Sequence, residues 1–547
     1  MWSNWQNFNR AIIKLKTKTK WFNFLIIILS ATIFGLSFNL PIIGLPVSLL
    51  ALIPLFWVLN QPKITPLKTS FSNFSYFFVF YLFAHPWYFT VLPLNWSGVI
   101  SNQITEYFLV SLVLIISSLA FSLPFLLSGH LYFYLKSKSD LANILILTSL
   151  LTLSFWLSAF LASLVFLGTE TLIGSHFTIG NIGYILADHS FFRLLASVAG
   201  LYGLTALVIS LNLIFFYLFK KSRWQLVLII ITLIFISQFI TLPRLTTNQS
   251  IKTAIITTDY ADKEIYFDEK PKIIFTDLAQ KIEFLLQQFP SLELIVIPED
   301  SRLFVSGTKI TNDHPLDLDV LHFQSILINK NVTLIDSARL YLPDHDNAQT
   351  IIMALNTKNM TTDFSYKSLL APVGEYIPYS LSYILKTLGY DQELQNYHQK
   401  RGVVSGKPTL ITADKNYQLG VLLCSEIISP YLYRDLTKAG ASILINPSSL
   451  SLFNNSNSIS LMTKRMAQIR AIENNRYLII SANSSTSYVI SQTGQVLSKN
   501  KNPNNYIVYD IPIIKSKTLY NLSGDWILIL LSIIVFIVLN NKIMKKI

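Results

Sequence analysis

Residues 417–426 read YQLGVLLCSE, and residues 292–300 read LELIVIPED. Each is a short apolar run that ends in charged or nucleophilic side chains. Runs of this length, bounded by polar residues, predict buried strands. Similar runs surround them: TAIITT (253–258), VTLID (332–336), ASILINPS (441–448), RYLIISAN (476–483), SYVIS (487–491) and YIVYDIPI (506–513). Between the first two of the series lies DLAQKIEFLLQQF (277–289), where Leu278, Ile282, Leu285, Leu286 and Phe289 share one helical face. Strands alternating with amphipathic helices predict an α/β domain with a buried sheet. Its bounds, 251–513, enclose about 260 residues, enough for a core of its own.

Outside those bounds the texture changes. FLIIILSATIFGLSF (24–38) and WILILLSIIVFIVL (526–539) are long apolar runs, close to the ~20 residues that cross a bilayer as a helix. The 547-residue chain is 52% apolar and 13% charged, against about 25% charged in a typical soluble domain. Hydropathy predicts about eight spans, near 22–39, 42–59, 71–92, 107–135, 142–167, 191–219, 224–242 and 523–540. The expected architecture is a multi-pass α-helical membrane bundle plus an α/β domain. Residues 1–245 form a membrane domain of about seven helices, and 523–540 form a closing helix. The basic, then apolar N-terminus lacks a convincing small-residue cleavage site and reads as a retained first span.

The net charge is +13, but the basic residues fall between the spans and form no single patch, so no nucleic-acid partner is expected. They alternate. Arg10, Lys14, Lys16, Lys18 and Lys20 precede the first span. Lys63 and Lys68, Lys136 and Lys138, and Lys220, Lys221 and Arg223 occupy every second loop, with Lys542, Lys545 and Lys546 in the tail. The intervening loops are poor in lysine and arginine, and one carries Glu170 and Asp188 instead; Arg193 and Arg244 run against the pattern. By the positive-inside rule both termini are cytoplasmic and the α/β segment is extracytoplasmic.

Cys424 is the one cysteine. It excludes an intramolecular disulfide and a multi-thiolate zinc site. The side chain is either a small buried hydrophobe or a reactive thiol. Strand ends are where α/β folds place chemistry, and three segments bring candidates there: Glu299 and Asp300, Lys367 with Glu375 in SYKSLLAPVGEYIP (365–378), and Cys424 with Ser425 and Glu426. A carboxylate can take the thiol proton, an ammonium can hold the oxyanion, and the activated sulfur can carry an acyl group as a thioester. Each residue also has a plain structural reading, as a solvated loop carboxylate, a surface lysine or a packed thiol.

The three segments, in this order, resemble the signatures of the carbon–nitrogen hydrolase (nitrilase) superfamily, and LLAPVGEYIP is similar to the lysine segment of the apolipoprotein N-acyltransferase family. RAIENNR (470–476), GNIGYILADH (180–189) and VAGLYGLTALVISLN (198–212) resemble further segments of that family, as does the frame of spans, outward domain and closing span. The resemblance implies an α-β-β-α sandwich. It implies Glu299 as general base, Lys367 as oxyanion stabiliser, Cys424 as nucleophile and Glu375 as supporting carboxylate, with Ser425 and Glu426 near substrate. It implies an N-acyltransferase in the bacterial inner membrane. A phospholipid donates the acyl chain, the N-terminal amine of a diacylglyceryl-cysteine lipoprotein accepts it, and no cofactor or metal is required. The alternative is a membrane-tethered amidase using the same trio on another substrate. Departures from the family pattern are Ser425 in place of tyrosine, Val373 in place of phenylalanine, NPSSLSLF (446–453) and ANSS (482–485); these put substrate detail in question.

Other positions have two readings. The aromatic run FSYFFVFYLFAHPWYF (74–89) and Trp96 line a lipid path or form an interfacial belt. His85 and His130 are intramembrane ionisable groups near span ends. Asp188 and His189 are at most substrate contacts.

Overall fold

The computed structural model describes residues 20–41, 43–94, 102–169, 171–240, 249–260, 271–299, 301, 303, 323, 325–328, 330–341, 348–413 and 417–544. Arg10, Lys14, Lys16, Lys18, Trp96, Glu170, Arg244, Asp300, Lys545 and Lys546 lie outside the described residues.

Proline sets most of the differences between expected and observed spans. Helix α1 runs Lys20–Phe38. The second expected span is two short helices, α2 (Gly44–Ser48) and α3 (Ile53–Leu59), the latter with Pro54 in its first turn. Helix α4 begins at Pro66 and stops at Ala84, before Pro86, and a 3-10 turn continues to Val91. The fourth expected span divides at Pro124 into α5 (Gln103–Ser122) and α6 (Pro124–Leu135). Proline lacks the N–H that would continue each ladder and is best tolerated in a first turn. Then follow α7 (Asp140–Val165), α8 (Ala196–Lys220) and α9 (Trp224–Ser237). By length and composition, Gln103–Leu135, Asp140–Val165, Phe192–Lys220 and Trp526–Met544 are long and apolar enough to cross a membrane, while Phe22–Phe38, Gly44–Leu59 and Trp224–Ser237 are shorter apolar helices.

Polar side chains join these helices where water cannot reach. Asn73 donates to Phe125 O (3.1 Å) and Ser128 Oγ (2.9 Å). Asn212 accepts from Leu52 N (3.0 Å) and donates to Ser48 O (2.7 Å), serving the backbone groups freed by the break between α2 and α3.

The α/β portion is built on thirteen strands among the described residues. One sheet has the order β13-β1-β2-β3-β4-β5, with β6 beside β4. Its strands are β1 (Ser250–Ile256), β2 (Leu294–Val296), β3 (Thr333–Tyr341), β4 (Ala348–Asn356), β5 (Thr361–Tyr366), β6 (Val403–Val404) and β13 (Tyr506–Pro512). The other has the order β12-β11-β10-β9-β8-β7, from β7 (Ile411–Thr412), β8 (Gln418–Val421), β9 (Ile443–Ser449), β10 (Leu478–Asn483), β11 (Ser487–Ile490) and β12 (Val496–Asn500). The centres are parallel: β1, β2 and β3 in one sheet, and β8, β9 and β10 in the other.

Alternation along each strand makes two cores. Ile251, Ile255, Leu294 and Val296 meet Leu419, Val421, Ile443 and Ile445 between the sheets. The intervening residues of the first sheet, Ala254, Ile256, Ile295 and Ile297, face α10 (Pro271–Gln288) through Leu278, Ile282 and Leu285. The far face of the second sheet, with Leu444, Leu478 and Ile480, packs on α13 (Pro430–Ala439) and α14 (Asn457–Asn474). The layers are therefore α-β-β-α, as expected. Two further helices, α11 (Tyr379–Thr387) and α12 (Asp391–Arg401), lie in the stretch after the lysine segment. The chain ends with α15 (Leu519–Ser523) and α16 (Trp526–Met544), whose Ile529 and Phe536 are exposed.

Helix α14 lies between sheet and membrane helices, and both sides of it are covered. Arg470 and Glu473, each fully buried, pair at 2.5 Å. Glu473 also accepts from Leu201 N at 2.9 Å. That N–H is free because Gly200, at φ +61°, interrupts α8. A Cβ at Gly200 would lie 2.3 Å from the Tyr520 ring. Arg465 bonds Asp188 at 2.5 and 2.9 Å and Phe38 O at 2.5 Å. Asp188 is thus a structural anchor, and its reading as a substrate contact is corrected. His189 likewise is buried, with Nε2 2.9 Å from Ile234 O.

Candidate active site

Glu299 follows β2, the first sheet's parallel centre, and Cys424 follows β8 of the second. Lys367 comes directly after β5. The two sheets thus present their strand ends to one place, and the structure brings the sequence candidates together there. Lys367 Nζ lies 2.8 Å from Glu299 Oε1 and 3.0 Å from Glu375 Oε1. All three side chains are buried. Glu375 Oε2 accepts from Ala371 N at 2.7 Å, which closes the PVGEY turn on itself. Glu299 Oε2 accepts from Ser449 N at 3.2 Å, and Cys424 Sγ lies 3.5 Å from the carbonyl of the same residue. The carboxylate and the sulfur therefore meet across Ser449, a residue whose main chain does the work. No side-chain pattern in the sequence would have marked it.

Cys424 has φ +35°, a left-handed conformation that non-glycine residues seldom adopt and that clusters at functional sites. Glu426 holds that turn. Its Oε2 accepts from Leu423 N (2.6 Å), and its Oε1 accepts from Ser368 N and Ser368 Oγ (both 2.8 Å). One buried carboxylate thereby ties the cysteine segment to the lysine segment. Ser425 Oγ donates to Leu369 O at 2.7 Å, a second link between the same two segments. Glu426 faces backbone and not open space, so its expected role near substrate becomes a positioning one.

Burial opposes the charged form of Lys367, but the carboxylates of Glu299 and Glu375 outweigh it and hold the ammonium well above its ordinary pKa. Burial pushes the Cys424 thiol well above its ordinary range, the Glu299 charge adds to this, and Lys367 pulls the other way. Burial raises Glu426 against the backbone donors that favour its charge. The resting site therefore holds a neutral thiol beside an ammonium.

The trio forms the polar end of a cavity of about 290 Å³. The other end is apolar, with Trp87, Tyr88 and Val91 from the turn after α4, Leu109 and Val110 from α5, and Leu381 and Leu385 from α11. Part of the aromatic run therefore lines the cavity, while Tyr76, Phe77 and Phe80 are packed inside the bundle. His85 is buried behind that wall, and His130 is exposed. The lysine segment is fastened to the end of α7: Tyr376 Oη donates to Phe166 O (2.6 Å), Tyr379 N to Leu167 O (2.8 Å) and Ser380 Oγ to Val165 O (2.9 Å). These donors satisfy carbonyls that a helix terminus leaves open. No cluster of three or more potential metal ligands occurs among the described residues.

Residues 288–515 match the carbon-nitrogen hydrolase family. The apolipoprotein N-acyltransferase of Haemophilus influenzae is 24% identical over 97% of this chain and 96% of its own length. That of Prochlorococcus marinus is 23% identical over 87% and 91%. With the Mycolicibacterium smegmatis protein of the same name the match is 24% identical, over 29% of this chain and 25% of that one. Among solved structures, a Saccharomyces cerevisiae member of the nitrilase superfamily is 17% identical, covering 48% of this chain and 90% of its own, with a TM-score of 0.35. An amidase from Nesterenkonia sp. is 15% identical, over 52% and 97%, with a TM-score of 0.37. Residues 288–515 therefore carry a carbon-nitrogen hydrolase domain. Over nearly its whole length the chain is similar to proteins named apolipoprotein N-acyltransferase.

Proposed function

We propose that this protein transfers an acyl chain from a phospholipid to the N-terminal amine of a diacylglyceryl-cysteine lipoprotein, through a thioester on Cys424. The observation that carries this reading is the cavity with two ends. A thiol, an ammonium and two carboxylates lie at one end, and an apolar lining reaches helices of the membrane portion at the other. A lipid acyl chain fits the second end while its ester carbonyl meets the first.

The chemistry runs in two halves. Glu299 takes the thiol proton as Cys424 Sγ attacks the ester carbon. Lys367 holds the tetrahedral oxyanion, and its charge is secured by Glu299 and Glu375. The C–O bond breaks, the glycerol oxygen takes the proton from Glu299, and a lysophospholipid leaves. The lipoprotein amine then attacks the thioester, Glu299 accepts its proton, and the C–S bond breaks. The proton returns to sulfur, and an amide is released. Glu375 positions Lys367, and Ser425 and Glu426 position the two loops.

Residues 1–245 serve as the membrane domain, 251–513 as the catalytic domain and 523–540 as the closing span. Both termini lie in the cytoplasm and the catalytic domain outside the inner membrane, on the strength of the lysine and arginine distribution. Attachment at both ends of the catalytic domain keeps the thiol at the lipid surface, which raises its effective concentration toward both substrates.

The test is mass spectrometry of a diacylated lipoprotein after incubation with this protein and an acyl-labelled phospholipid. One labelled acyl group on the N-terminal amine is expected, and none with Cys424→Ala inserted normally in the membrane. Label released as free fatty acid with no amide formed would instead indicate a hydrolase.

A further inference from the structure

A second cavity lies around the corner of α14 from the first. Ile459, Thr463 and Met466 of that helix line the acyl cavity, whereas Asn457, Ser460, Leu461 and Lys464 line the other. Opposite them stand Ser484, Ser485 and Thr486 of the β10–β11 turn and Lys499 and Lys501 from β12 and just beyond it. The volume is about 420 Å³. The lining contains three lysines and five serine, threonine or tyrosine hydroxyls, and among the described residues no carboxylate. Lys464 lies 3.3 Å from Asp188, but Arg465 already bonds that carboxylate at 2.5 Å, so two cations share one anion. Ser456 and Asn457 open α14 here, and the positive end of an 18-residue helix adds to the field. The surplus is cationic, and the donors are those that cradle phosphate.

The lining also has an apolar part, Leu461, Val496 and Pro41. Pro41 lies at the turn between α1 and α2, where its neighbours Leu40 and Ile43 are 43% and 53% exposed. A free anion has no use for an apolar rim at the end of two apolar helices. A lipid headgroup does: its phosphate meets the lysines and its acyl chains continue along the hairpin. Cationic residues at a membrane surface attract anionic lipid by about 1 kcal/mol each.

We infer that this cleft is a binding site for the phosphate headgroup of an anionic phospholipid, separate from the cavity that holds Cys424. Bound lipid bridges the α1–α2 hairpin, α14 and the β10–β12 edge, and so fixes the catalytic portion against the membrane surface. The site does not depend on the acyl-transfer reading, since no step of that chemistry passes through it.

The experiment uses the full chain carrying Cys424→Ala, so that no lipid is consumed, in a neutral detergent. Native mass spectrometry counts phosphatidylglycerol or phosphatidylcholine retained per chain as each is titrated. Phosphatidylglycerol is expected to bind at tenfold lower concentration or better, with Lys499→Gln/Lys501→Gln weakening it by roughly 10- to 30-fold. A control pair on another surface, Lys358→Gln/Lys386→Gln, leaves it unchanged. Equal retention of the two lipids, or undiminished phosphatidylglycerol binding in K499Q/K501Q, overturns the site. Displacement by inorganic phosphate at concentrations matching the lipid's overturns the headgroup assignment.

Discussion

The two ends of the catalytic cavity differ in origin. The polar end is made by strand ends of both sheets, and its glutamates and lysine are mutually fixed: Glu299 and Glu375 on Lys367, and Ser449 N on Glu299. The apolar end is made by elements with no strand among them: the turn after α4, α5 and α11. The first end is rigid because buried charges must be fully paired. The second needs only shape and apolar surface. On the proposed function, reactivity and substrate selection reside in different parts of the chain, and substitutions should separate them.

At the polar end the effects should be greatest. Glu299→Gln and Lys367→Ala are each expected to lower acyl transfer by about a thousandfold or more, because the groups act as one unit. Rates with a labelled phospholipid, at equal membrane insertion, provide the measure. At the apolar end Leu109→Trp should act selectively. Filling the cavity should lower the rate with long-chain donors by about 10- to 100-fold, while short-chain donors retain most of theirs. Equal loss for both would mean that the apolar end does not hold the acyl chain. The smallest effect separates proton affinity from catalysis. The Glu299 charge helps hold the Cys424 thiol above its ordinary pKa, so Glu299→Gln should bring the thiol down and increase thiolate below that pKa. Alkylation of Cys424 by iodoacetamide near pH 8 should then rise about threefold, even as acyl transfer collapses.

The same division governs what was legible in the sequence. Glu299 and Cys424 follow apolar strand runs, and Lys367 and Glu375 share the segment 365–378, which resembles a family motif; the polar end was legible. Helix α10 was visible as well, because one of its faces meets a sheet and Leu278, Ile282 and Leu285 repeat accordingly. Helix α14 had no such stripe. Its buried positions include Arg465, which pairs with Asp188, and Arg470 and Glu473, which pair with each other while Glu473 also accepts from Leu201 N of α8. Periodicity reports a boundary between water and core, and from Arg465 to Asn474 α14 has none. Strand β4, AQTIIMALN, is buried along nearly its whole length, and β5, TTDFSY, is polar and largely uncovered, so neither carries an alternation to read. The apolar lining from α5 and α11 was also unreadable, since those residues look like any others that face lipid or core. Ser449 contributes through its backbone, on which side-chain identity has no bearing.

On the proposed function, Cys424 carries the acyl group. Intact-mass measurement of the protein after exposure to labelled phospholipid, with no acceptor present, tests it most directly. The account predicts one labelled acyl chain on the Cys424 peptide, released by hydroxylamine and discharged when lipoprotein is added. Full conversion of lipoprotein by a protein whose Cys424 never bears label would contradict it.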